Sequence, residues 1–360
     1  ILKVDNVMAT LQQLAYFHRR FLNIPILALT GSNGKTTTKE LIYAVLSQKF
    51  RTTATAGNLN NHIGVPLSLL SMNKQTEMGI VEMGANHPGE IKLLCSIAAP
   101  DYGYITNFGK AHLEGFGSLE GVIKAKSELY DYLKENNGML FLNNDDPVQN
   151  QQNSYSRTFS FGTEKPADVV LEFFSPQNSF AGIKADGIEI KSKLIGNYNA
   201  KNLAAAFSIG RYFKVPKDEI KKALEDYIPG NNRSQIIEKN GNKIILDAYN
   251  ANPTSMAAAL DNFESQPQHP KMAILGDMFE LGPDSEKEHQ ELVNRLENSD
   301  IDDIILIGNN FFRTNSSKKI RKYATFEEFK TDFDPKELKN HLLLIKGSRG
   351  MALERVLELL

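Results

Sequence analysis

The stretch that decides the fold reads Ile26-Leu27-Ala28-Leu29-Thr30-Gly31-Ser32-Asn33-Gly34-Lys35-Thr36-Thr37. Its first four residues are apolar and predict a buried strand, and apolar residues recur at helical spacing from Leu41 to Leu46. A glycine-rich loop between a strand and a helix directs backbone N–H groups and the helix N-terminus at anionic oxygens. The sequence therefore predicts a phosphate-binding loop over Gly31–Thr37.

This loop carries the two side chains that a nucleoside triphosphate needs. The Lys35 ammonium can reach the β- and γ-phosphates, and the Thr36 hydroxyl can join the ligands of Mg²⁺. The strict motif has a glycine five positions before Gly34, where this chain has Leu29. We nevertheless predict binding of ATP and transfer of its terminal phosphoryl group, because a strand precedes the loop, a helix follows it and Gly31 lies within it. The residues predicted to hold the nucleotide here are Gly31, Ser32, Asn33, Gly34, Lys35, Thr36 and Thr37.

The rest of the chain repeats a pattern of short apolar runs, each of which predicts a strand. Short apolar runs end just before polar residues, among them Glu82, Asn107, Asp247 and Lys346. This rhythm is typical of a mostly parallel sheet, whose ligands gather at the carboxyl ends of the strands. Between residues 157 and 194 the pattern changes to alternation, which predicts a few antiparallel strands.

A turn-rich stretch at residues 228–232 divides the chain. We predict an α/β protein with a central ATP-binding domain of the P-loop class over residues 1–230, built on a mostly parallel sheet. We predict a C-terminal Rossmann-like α/β domain over residues 231–360. A chain of 360 residues with 41% hydrophobic content is long enough for both cores.

Composition excludes several classes of function. The chain has 41 basic and 43 acidic side chains and a net charge of −2, so no basic surface for nucleic acid is expected. The single cysteine, Cys95, excludes an internal disulfide framework and predicts a reducing compartment. No apolar run approaches the roughly 20 residues that span a bilayer. We expect a monomeric cytoplasmic enzyme with neither a nucleic-acid partner nor a membrane partner.

Three further residues are candidates for the chemistry, and the residues alone leave each one open. Glu82 ends a strand where a magnesium ligand belongs, or it caps the next helix. His112 follows another strand in a glycine-rich loop, although a lone histidine is usually structural. Lys126 lies on a short amphipathic helix, where a solvated lysine is the ordinary interpretation. The amide-rich runs at residues 196–202 and 247–253 can bind a ligand or only cap helices.

Together these segments resemble those of the Mur ligases, the ATP-dependent amide-forming enzymes of peptidoglycan synthesis. The segments that carry the resemblance are residues 29–40, 55–66, 82–86, 111–118, 247–253, 275–282 and 346–349. The Asn-Leu-Asn-Asn, His-Leu-Glu-Gly-Phe-Gly and Lys-Gly-Ser-Arg stretches are typical of the member whose substrates are a UDP-N-acetylmuramoyl-peptide and D-alanyl-D-alanine. The family has an additional N-terminal domain that holds the UDP-sugar, and a chain that starts at Ile1 is expected to lack it.

The resemblance implies a metal site and a modified lysine. Glu82 and His112 match the family's magnesium-binding acid and histidine. Lys126 matches a lysine that these ligases carry as a carbamate, an anionic ligand for a second Mg²⁺. Because a carbamate forms when a neutral amine meets CO₂, Lys126 should be desolvated. We expect two Mg²⁺ ions held by Thr36, Glu82, His112 and Lys126, and Lys35, His112 and Lys126 are the catalytic candidates.

The resemblance also implies contacts to the rest of the nucleotide. Asn199 or Asn202 is expected to face the adenine, and Asp247 the ribose. Arg233 resembles an arginine that touches ATP phosphates. The family motif is Pro-Gly-Arg, whereas two residues separate Gly230 from Arg233 in this chain.

Four residues are assigned to the substrates, namely Asn60, Asn61, Ser348 and Arg349. An arginine fork suits the carboxylate of the dipeptide, which favours Arg349. The alternative is that Ser348 and Arg349 only close the loop after the last strand.

The implied reaction has two steps, an acyl phosphate formed from the peptide carboxylate and ATP, and then displacement of phosphate by the amine of D-alanyl-D-alanine. Another ligase of the same architecture, such as a different Mur ligase or a folylpolyglutamate synthase, is the nearest alternative. A kinase that phosphorylates a small alcohol is a second alternative. A nucleotide-binding module without turnover is a third.

Overall fold

The computed structural model describes residues 3–176, 180–230, 232–317, 319–334 and 338–360. Ile1 and Asn231, at which the two predicted domains begin, lie outside these ranges. The described chain forms two mainly parallel sheets with helices packed on them, which confirms the predicted α/β class. We call the part up to Gly230 the first unit and the part from Asn232 onward the second unit. The predicted domain boundary at residues 230 and 231 stays a prediction.

The first unit contains nine strands. They are β1 (Ile26–Thr30), β2 (Thr52–Ala54), β3 (Met78–Glu82), β4 (Tyr102–Ile105), β5 (Met139–Asn143), β6 (Thr158–Gly162), β7 (Val169–Phe174), β8 (Phe180–Ala185) and β9 (Ile188–Ile195). Their order in the sheet is β2-β3-β1-β4-β5-β6-β7-β8-β9. The strand before the phosphate loop, β1, pairs in parallel with β3 and β4, so Leu29 faces Glu82 and Thr30 faces Ile105. The carboxyl ends of these three strands therefore meet at one edge.

The prediction of antiparallel strands between residues 157 and 194 is confirmed for β7, β8 and β9, since β8 is antiparallel to both of its neighbours, and is wrong for β6. The strand β6 pairs in parallel with β5, and β7 pairs in parallel with β6. The helical turns Pro147–Asn150 and Gln151–Ser154 form the crossover between β5 and β6, so β6 runs in the same direction as β5. Parallel neighbours need such a crossover, whereas the two residues between β8 and β9 allow only a hairpin.

The second unit contains six strands. They are β10 (Gln235–Lys239), β11 (Asn242–Asp247), β12 (Lys271–Gly276), β13 (Asp303–Ile307), β14 (Ile320–Tyr323) and β15 (Leu342–Lys346). Their order is β10-β11-β15-β12-β13-β14, and only β10 and β11 are antiparallel. Asp247 and Lys346 are register partners at the carboxyl ends of β11 and β15.

Fourteen α-helices pack on the sheets or lie in the loops of the described chain. They are α1 (Val7–Leu22), α2 (Lys35–Leu46), α3 (Gly64–Leu70), α4 (Glu90–Ala98), α5 (Leu113–Phe116), α6 (Leu119–Glu135), α7 (Pro147–Asn150), α8 (Tyr198–Tyr212), α9 (Lys217–Asp226), α10 (Pro253–Glu264), α11 (Ser285–Glu297), α12 (Asn309–Phe312), α13 (Phe326–Asp332) and α14 (Val356–Leu359). Within the described ranges, no helix combines the length and the apolar character that crossing a bilayer requires.

Alternate side chains of β1 point into two cores. Leu27 and Leu29 pack in the core that includes residues of α2, α8 and α9. Ile26 and Ala28 pack in the core that includes residues of α1, α3, α4 and α6. All five residues of β1 are buried, as expected for a parallel strand covered by helices on both faces. The loop after β1 is thereby fixed against the start of α2.

Candidate active site

A cavity of about 680 Å³ lies at the carboxyl ends of strands from both units. From the first unit it is lined by the loop after β1, by residues after β3 and β4 and by the start of α8. From the second unit it is lined by residues between Arg233 and Ala258 and by Lys346. The predicted phosphate loop therefore faces a space that the second unit helps to enclose.

The phosphate loop has the backbone that its glycines allow. Gly34 precedes α2 with a φ of 76°, in the left-handed region that favours glycine. A Cβ atom at Gly34 would lie 2.9 Å from Oδ1 of Asn202, so the space also requires glycine. The half-buried Lys35 ammonium donates to the carbonyl of Gly31 at 2.7 Å. Burial lowers the pKa of Lys35, and the nearby charge of Glu82 opposes that shift.

Glu82 lies buried beside this loop. Its carboxylate accepts hydrogen bonds from Thr36 Oγ1 at 3.0 Å and from Asn60 Nδ2 at 2.9 Å. The Lys39 ammonium lies 3.7 Å from the same carboxylate. The next helix begins after Gly89 without a side-chain cap, so Glu82 does not cap it. The structure thus brings Glu82 and Thr36 together, and their binding of Mg²⁺ stays a prediction.

His112 also lines the cavity, in an unusual conformation. Its φ is 54°, in the left-handed region that non-glycine residues rarely adopt. Its Nδ1 atom lies against the carboxylate of Glu280, which belongs to the second unit. The adjacent His112 ring lowers the pKa of Glu280. The contact between Glu280 and His112 was not predicted from the sequence, although the segment 275–282 was among those that carried the family resemblance.

Lys126 is fully buried, so the interpretation as a solvated lysine is wrong. Its ammonium donates to the carbonyl of Ala85 at 3.0 Å and lies 5.0 Å from the ring centroid of Phe116. Burial lowers its pKa well below the usual value, and the positive charge of Lys35 lowers it further. Ala85 lines the cavity, whereas Lys126 stands behind it. The structure therefore provides the desolvated lysine that a carbamate needs.

Two predicted adenine contacts, Asn199 and Asn202, line the cavity and are buried. Asn202 accepts a hydrogen bond from Thr38 Oγ1 at 3.1 Å and donates one to Asn199 at 2.8 Å. Asn199 in turn donates to the carbonyl of Ile195. Neither side chain caps α8, which follows Asn197 without a side-chain cap. Their amides brace the phosphate loop, and their contact with adenine stays a prediction.

Arg233 and Asp247 both line the cavity from the second unit. The Arg233 guanidinium stacks 3.5 Å from the ring centroid of Tyr249. Asp247 pairs with the buried ammonium of Lys346 at 2.5 Å and accepts the backbone N–H of Ser234. The stacking of Arg233 on Tyr249 and the pairing of Asp247 with Lys346 were not predicted, because a single sequence does not show which ring an arginine stacks on or which strand supplies the paired lysine.

The four residues assigned to the substrates fall in two places. Asn60 and Asn61 line the cavity. Ser348 and Arg349 lie outside its lining: Ser348 accepts a hydrogen bond from the backbone of Phe279 at 2.9 Å, and Arg349 pairs with Glu354 at 2.6 Å. These contacts favour the alternative that the pair closes a loop. Their assignment to the dipeptide stays a prediction.

The two units touch at the phosphate loop itself. Asn252 accepts the backbone N–H of Ser255 through Oδ1, which leaves its Nδ2 to donate to Oδ1 of Asn33 at 2.8 Å. The other amide atom of Asn33, Nδ2, is buried without a hydrogen-bond partner among the described residues. The Nε atom of Arg233 and the Nδ1 atom of His112 are in the same state. The buried donors of Asn33 and Arg233 at this cavity favour an acceptor-rich ligand, since an unpaired buried donor is costly.

Two protein-family models match the chain, and together they cover both units. The Mur ligase middle domain matches residues 29–210, and the Mur ligase, glutamate ligase domain matches residues 232–349. The first match alone spans half of the chain, and the second includes most of the second unit. The chain therefore belongs to the Mur ligase family.

Within this family, the chain is similar to UDP-N-acetylmuramoyl-tripeptide–D-alanyl-D-alanine ligases. The one from Bacillus subtilis is 36% identical over 99% of this chain and 80% of the relative. The one from Escherichia coli is 32% identical over 97% of this chain and 79% of the relative.

Two solved structures are also similar to this chain in fold. The MurF ligase from Thermotoga maritima in complex with ADP has a TM-score of 0.88 at 32% identity, over 100% of this chain and 84% of that one. MurF from Acinetobacter baumannii has a TM-score of 0.88 at 31% identity, over 99% of this chain and 81% of that one.

Proposed function

We propose that this chain is an ATP-dependent ligase that joins D-alanyl-D-alanine to a UDP-N-acetylmuramoyl-tripeptide, releasing ADP and phosphate during peptidoglycan synthesis. The observation that carries the proposal is the phosphate loop, with its half-buried Lys35, at a cavity enclosed by both units. A relative that is 36% identical over nearly all of this chain bears the name of that ligase. A MurF structure of the same fold holds ADP.

The cavity suits ATP on chemical grounds. The loop amides, the start of α2 and the Lys35 ammonium converge on one end, which favours a polyphosphate. The unpaired buried donors Asn33 Nδ2 and Arg233 Nε supply two more groups that would bond to phosphate oxygens. Asp247 lines the cavity on the second unit, where its carboxylate would accept the ribose hydroxyls.

The donor set also fits Mg²⁺. Among the described residues, no group of three or more His, Cys, Asp and Glu side chains is placed to hold a metal ion. Mg²⁺ in phosphate-transfer sites takes one or two protein ligands and completes its shell with phosphate oxygens and water. Thr36 and Glu82 would hold the first ion, and His112 with a carbamylated Lys126 the second. Bound Mg²⁺ would neutralise charge on the transferring phosphoryl group.

Lys126 meets the requirement for carbamylation. Burial favours the neutral amine, because it lowers the pKa of Lys126 well below the usual value. The neutral amine nitrogen bonds to the carbon of CO₂ and loses one proton, which gives an anionic carbamate. Starting from the ammonium, two protons are released in all. An anion at this position would also pair with the neighbouring charge of Lys35.

The residues of the chain assist two steps. In the first, a carboxylate oxygen of the peptide attacks the γ-phosphorus and ADP leaves, which gives an acyl phosphate. The Lys35 ammonium and the loop amides stabilise the negative charge that this transfer spreads over the phosphate oxygens. In the second, the amine of the dipeptide attacks the acyl carbon, loses a proton and expels phosphate. Asn60 and Asn61 line the cavity where the peptide end would lie.

The proposal is tested by the substrate dependence of ADP release. We expect fast ADP release only when both the UDP-N-acetylmuramoyl-tripeptide and D-alanyl-D-alanine are present, with one amide product formed for each ADP. L-Alanyl-L-alanine is the matched control. A kinase would phosphorylate an alcohol without the dipeptide, and a module without turnover would release no ADP. Either result would contradict the proposal.

Arg233→Ala is expected to raise the KM for ATP roughly ten- to a hundredfold. A hydrogen bond from a charged donor contributes about 1.5–3 kcal/mol, which corresponds to that range. Steady-state kinetics at varied ATP would measure the change. Arg321→Ala, which removes a half-exposed arginine from β14, is the control. An unchanged KM for ATP in Arg233→Ala would show that Arg233 does not contact the nucleotide.

A further inference from the structure

Arg233 lies near the start of the second unit, in the loop that precedes β10. Its neighbours Asn232 and Ser234 have φ values of 57° and 49°, in the left-handed region that non-glycine residues rarely adopt. The N–H of Ser234 donates to Oδ1 of Asp247 at 3.2 Å, and the hydroxyl groups of Ser234 and Tyr198 share a hydrogen bond of 2.7 Å. The backbone beside Arg233 is therefore anchored to both units.

The side chain of Arg233 has fewer partners than its backbone. Its Nε atom is buried without a hydrogen-bond partner among the described residues, and no ion pair within the described ranges includes its guanidinium. The guanidinium instead lies 3.5 Å from the centroid of the Tyr249 ring, which is the separation of two stacked planar groups. In the described part of the chain, this ring is therefore the contact that fixes the direction of the guanidinium.

Tyr249 itself belongs to a well-fixed segment that follows β11. The buried ammonium of Lys346 bridges the two sides of Tyr249, since it pairs with the carboxylate of Asp247 at 2.5 Å and donates to the carbonyl of Asn250 at 3.2 Å. Asn252, three residues after Tyr249, caps the start of α10. The backbone on either side of Tyr249 is therefore held in place, and its ring is a firm support for the longer arginine side chain.

Holding Arg233 against a ring matters because an arginine side chain has many rotamers. A ligand that must first order such a side chain binds about two- to tenfold more weakly than one that finds it in place. Stacking uses only the face of the planar guanidinium, so its N–H edge stays free to donate. Arg233 and Lys35 line the same cavity, where an anion would meet both cations. The stack therefore prepares the guanidinium for an anionic ligand.

We propose that Tyr249 is a positioning residue, which holds the Arg233 guanidinium by stacking and presents its N–H edge to the phosphates of the nucleotide. The contact between Arg233 and the phosphates rests on the proposed function, whereas the stack does not. Tyr249 acts through its ring and through Arg233, so phenylalanine can replace it. The competing role for an aromatic ring in this cavity is to stack on the adenine base, and its effect on ATP binding would then not depend on Arg233.

The stack is measured in the nucleotide-free chain by nuclear magnetic resonance of the arginine Nε–H groups. The signal that disappears in Arg233→Ala belongs to Arg233. Because a proton over the face of an aromatic ring resonates upfield, we expect this signal to move downfield in Tyr249→Leu and to keep its position in Tyr249→Phe. Tyr249 is half-buried, so its replacement by leucine leaves the core intact. An Arg233 signal that does not move in Tyr249→Leu would overturn the proposal.

The effect on the nucleotide is measured by calorimetry with a non-hydrolysable ATP analogue, which requires no turnover. We expect Tyr249→Leu to bind the analogue about two- to tenfold more weakly than the unmodified chain does, and Tyr249→Phe to bind it equally well. Tyr16→Leu is the matched control, because Tyr16 is exposed and lies outside the cavity lining. Equal affinities of Tyr249→Leu and Tyr16→Leu for the analogue would contradict the positioning role.

A double variant decides whether Tyr249 acts through Arg233. We expect the chain with both Tyr249→Leu and Arg233→Ala to bind the analogue no more weakly than Arg233→Ala alone, because no guanidinium is left to hold. Losses that multiply would show that Tyr249 contacts the nucleotide directly, and they would overturn the proposal. A failed ligase assay would leave the resonance and binding measurements intact, so this proposal and the proposed function fail separately.

Discussion

Lys35→Ala is expected to lower the rate of ADP formation by about a hundred- to a thousandfold, the usual cost of removing one preorganised charge-stabilising donor. The half-buried Lys35 ammonium lies in the phosphate loop and donates to the carbonyl of Gly31. The next lysine along the chain, Lys39, lies 3.7 Å from the carboxylate of Glu82. It therefore cannot replace the charge of Lys35 at the phosphate. The loss should appear mainly in kcat, because the charge acts on the phosphoryl group in transfer. Steady-state ADP release would measure it.

Lys74→Ala controls for the removal of a lysine from the same unit, since Lys74 is exposed and lies outside the cavity lining. We expect its rate to equal that of the unmodified chain. If Lys35→Ala turned over at the unmodified rate, the phosphate loop would not be the site of phosphoryl transfer.

Lys126→Ala is expected to lower activity by more than about a hundredfold and to regain part of it in acetate. Loss of a group that only supports a metal ligand already costs 10–100-fold, and a ligand itself should cost more. The side chain is fully buried beside Ala85, so its removal leaves a space that a small carboxylate can fill. Lys126→Arg should not recover, because a guanidinium cannot become an anionic ligand. ADP release at increasing acetate concentration would measure the rescue.

Lys124→Ala is the matched control, because Lys124 lies on the same helix, α6, with an exposed side chain. It should retain full activity with and without acetate. Acetate that restored nothing in Lys126→Ala, together with an unmodified Lys126 in crystals grown with bicarbonate and Mg²⁺, would contradict the carbamate.

The features that the sequence predicted are local ones. The phosphate loop needs only a strand, two glycines, a lysine and a helix in succession, and all of these lie within Ile26–Leu46. The alternation of apolar runs and helices likewise gave the α/β class. The parallel pairing of β6 was not predicted, because Thr158–Gly162 shows an alternating pattern and the crossover before it is short.

The features that the sequence did not predict depend on contacts between distant segments. The pairs His112–Glu280 and Asn33–Asn252 join the two units, and no local pattern indicates either. The amphipathic pattern of α6 gives its buried face only approximately, so the pattern did not decide whether Lys126 is solvated or buried. Packing against Ala85 and Phe116 decides in favour of burial.

The transfer of a labelled oxygen atom tests the central claim most directly. The terminal carboxylate of the UDP-N-acetylmuramoyl-tripeptide is labelled with heavy oxygen and incubated with ATP and D-alanyl-D-alanine, and the released phosphate is analysed by mass spectrometry. Because the carboxylate oxygen that attacks the γ-phosphorus leaves with the phosphate, we predict one heavy oxygen atom in each phosphate and the other in the new amide. Phosphate without heavy oxygen, formed together with the amide product, would contradict the acyl-phosphate route.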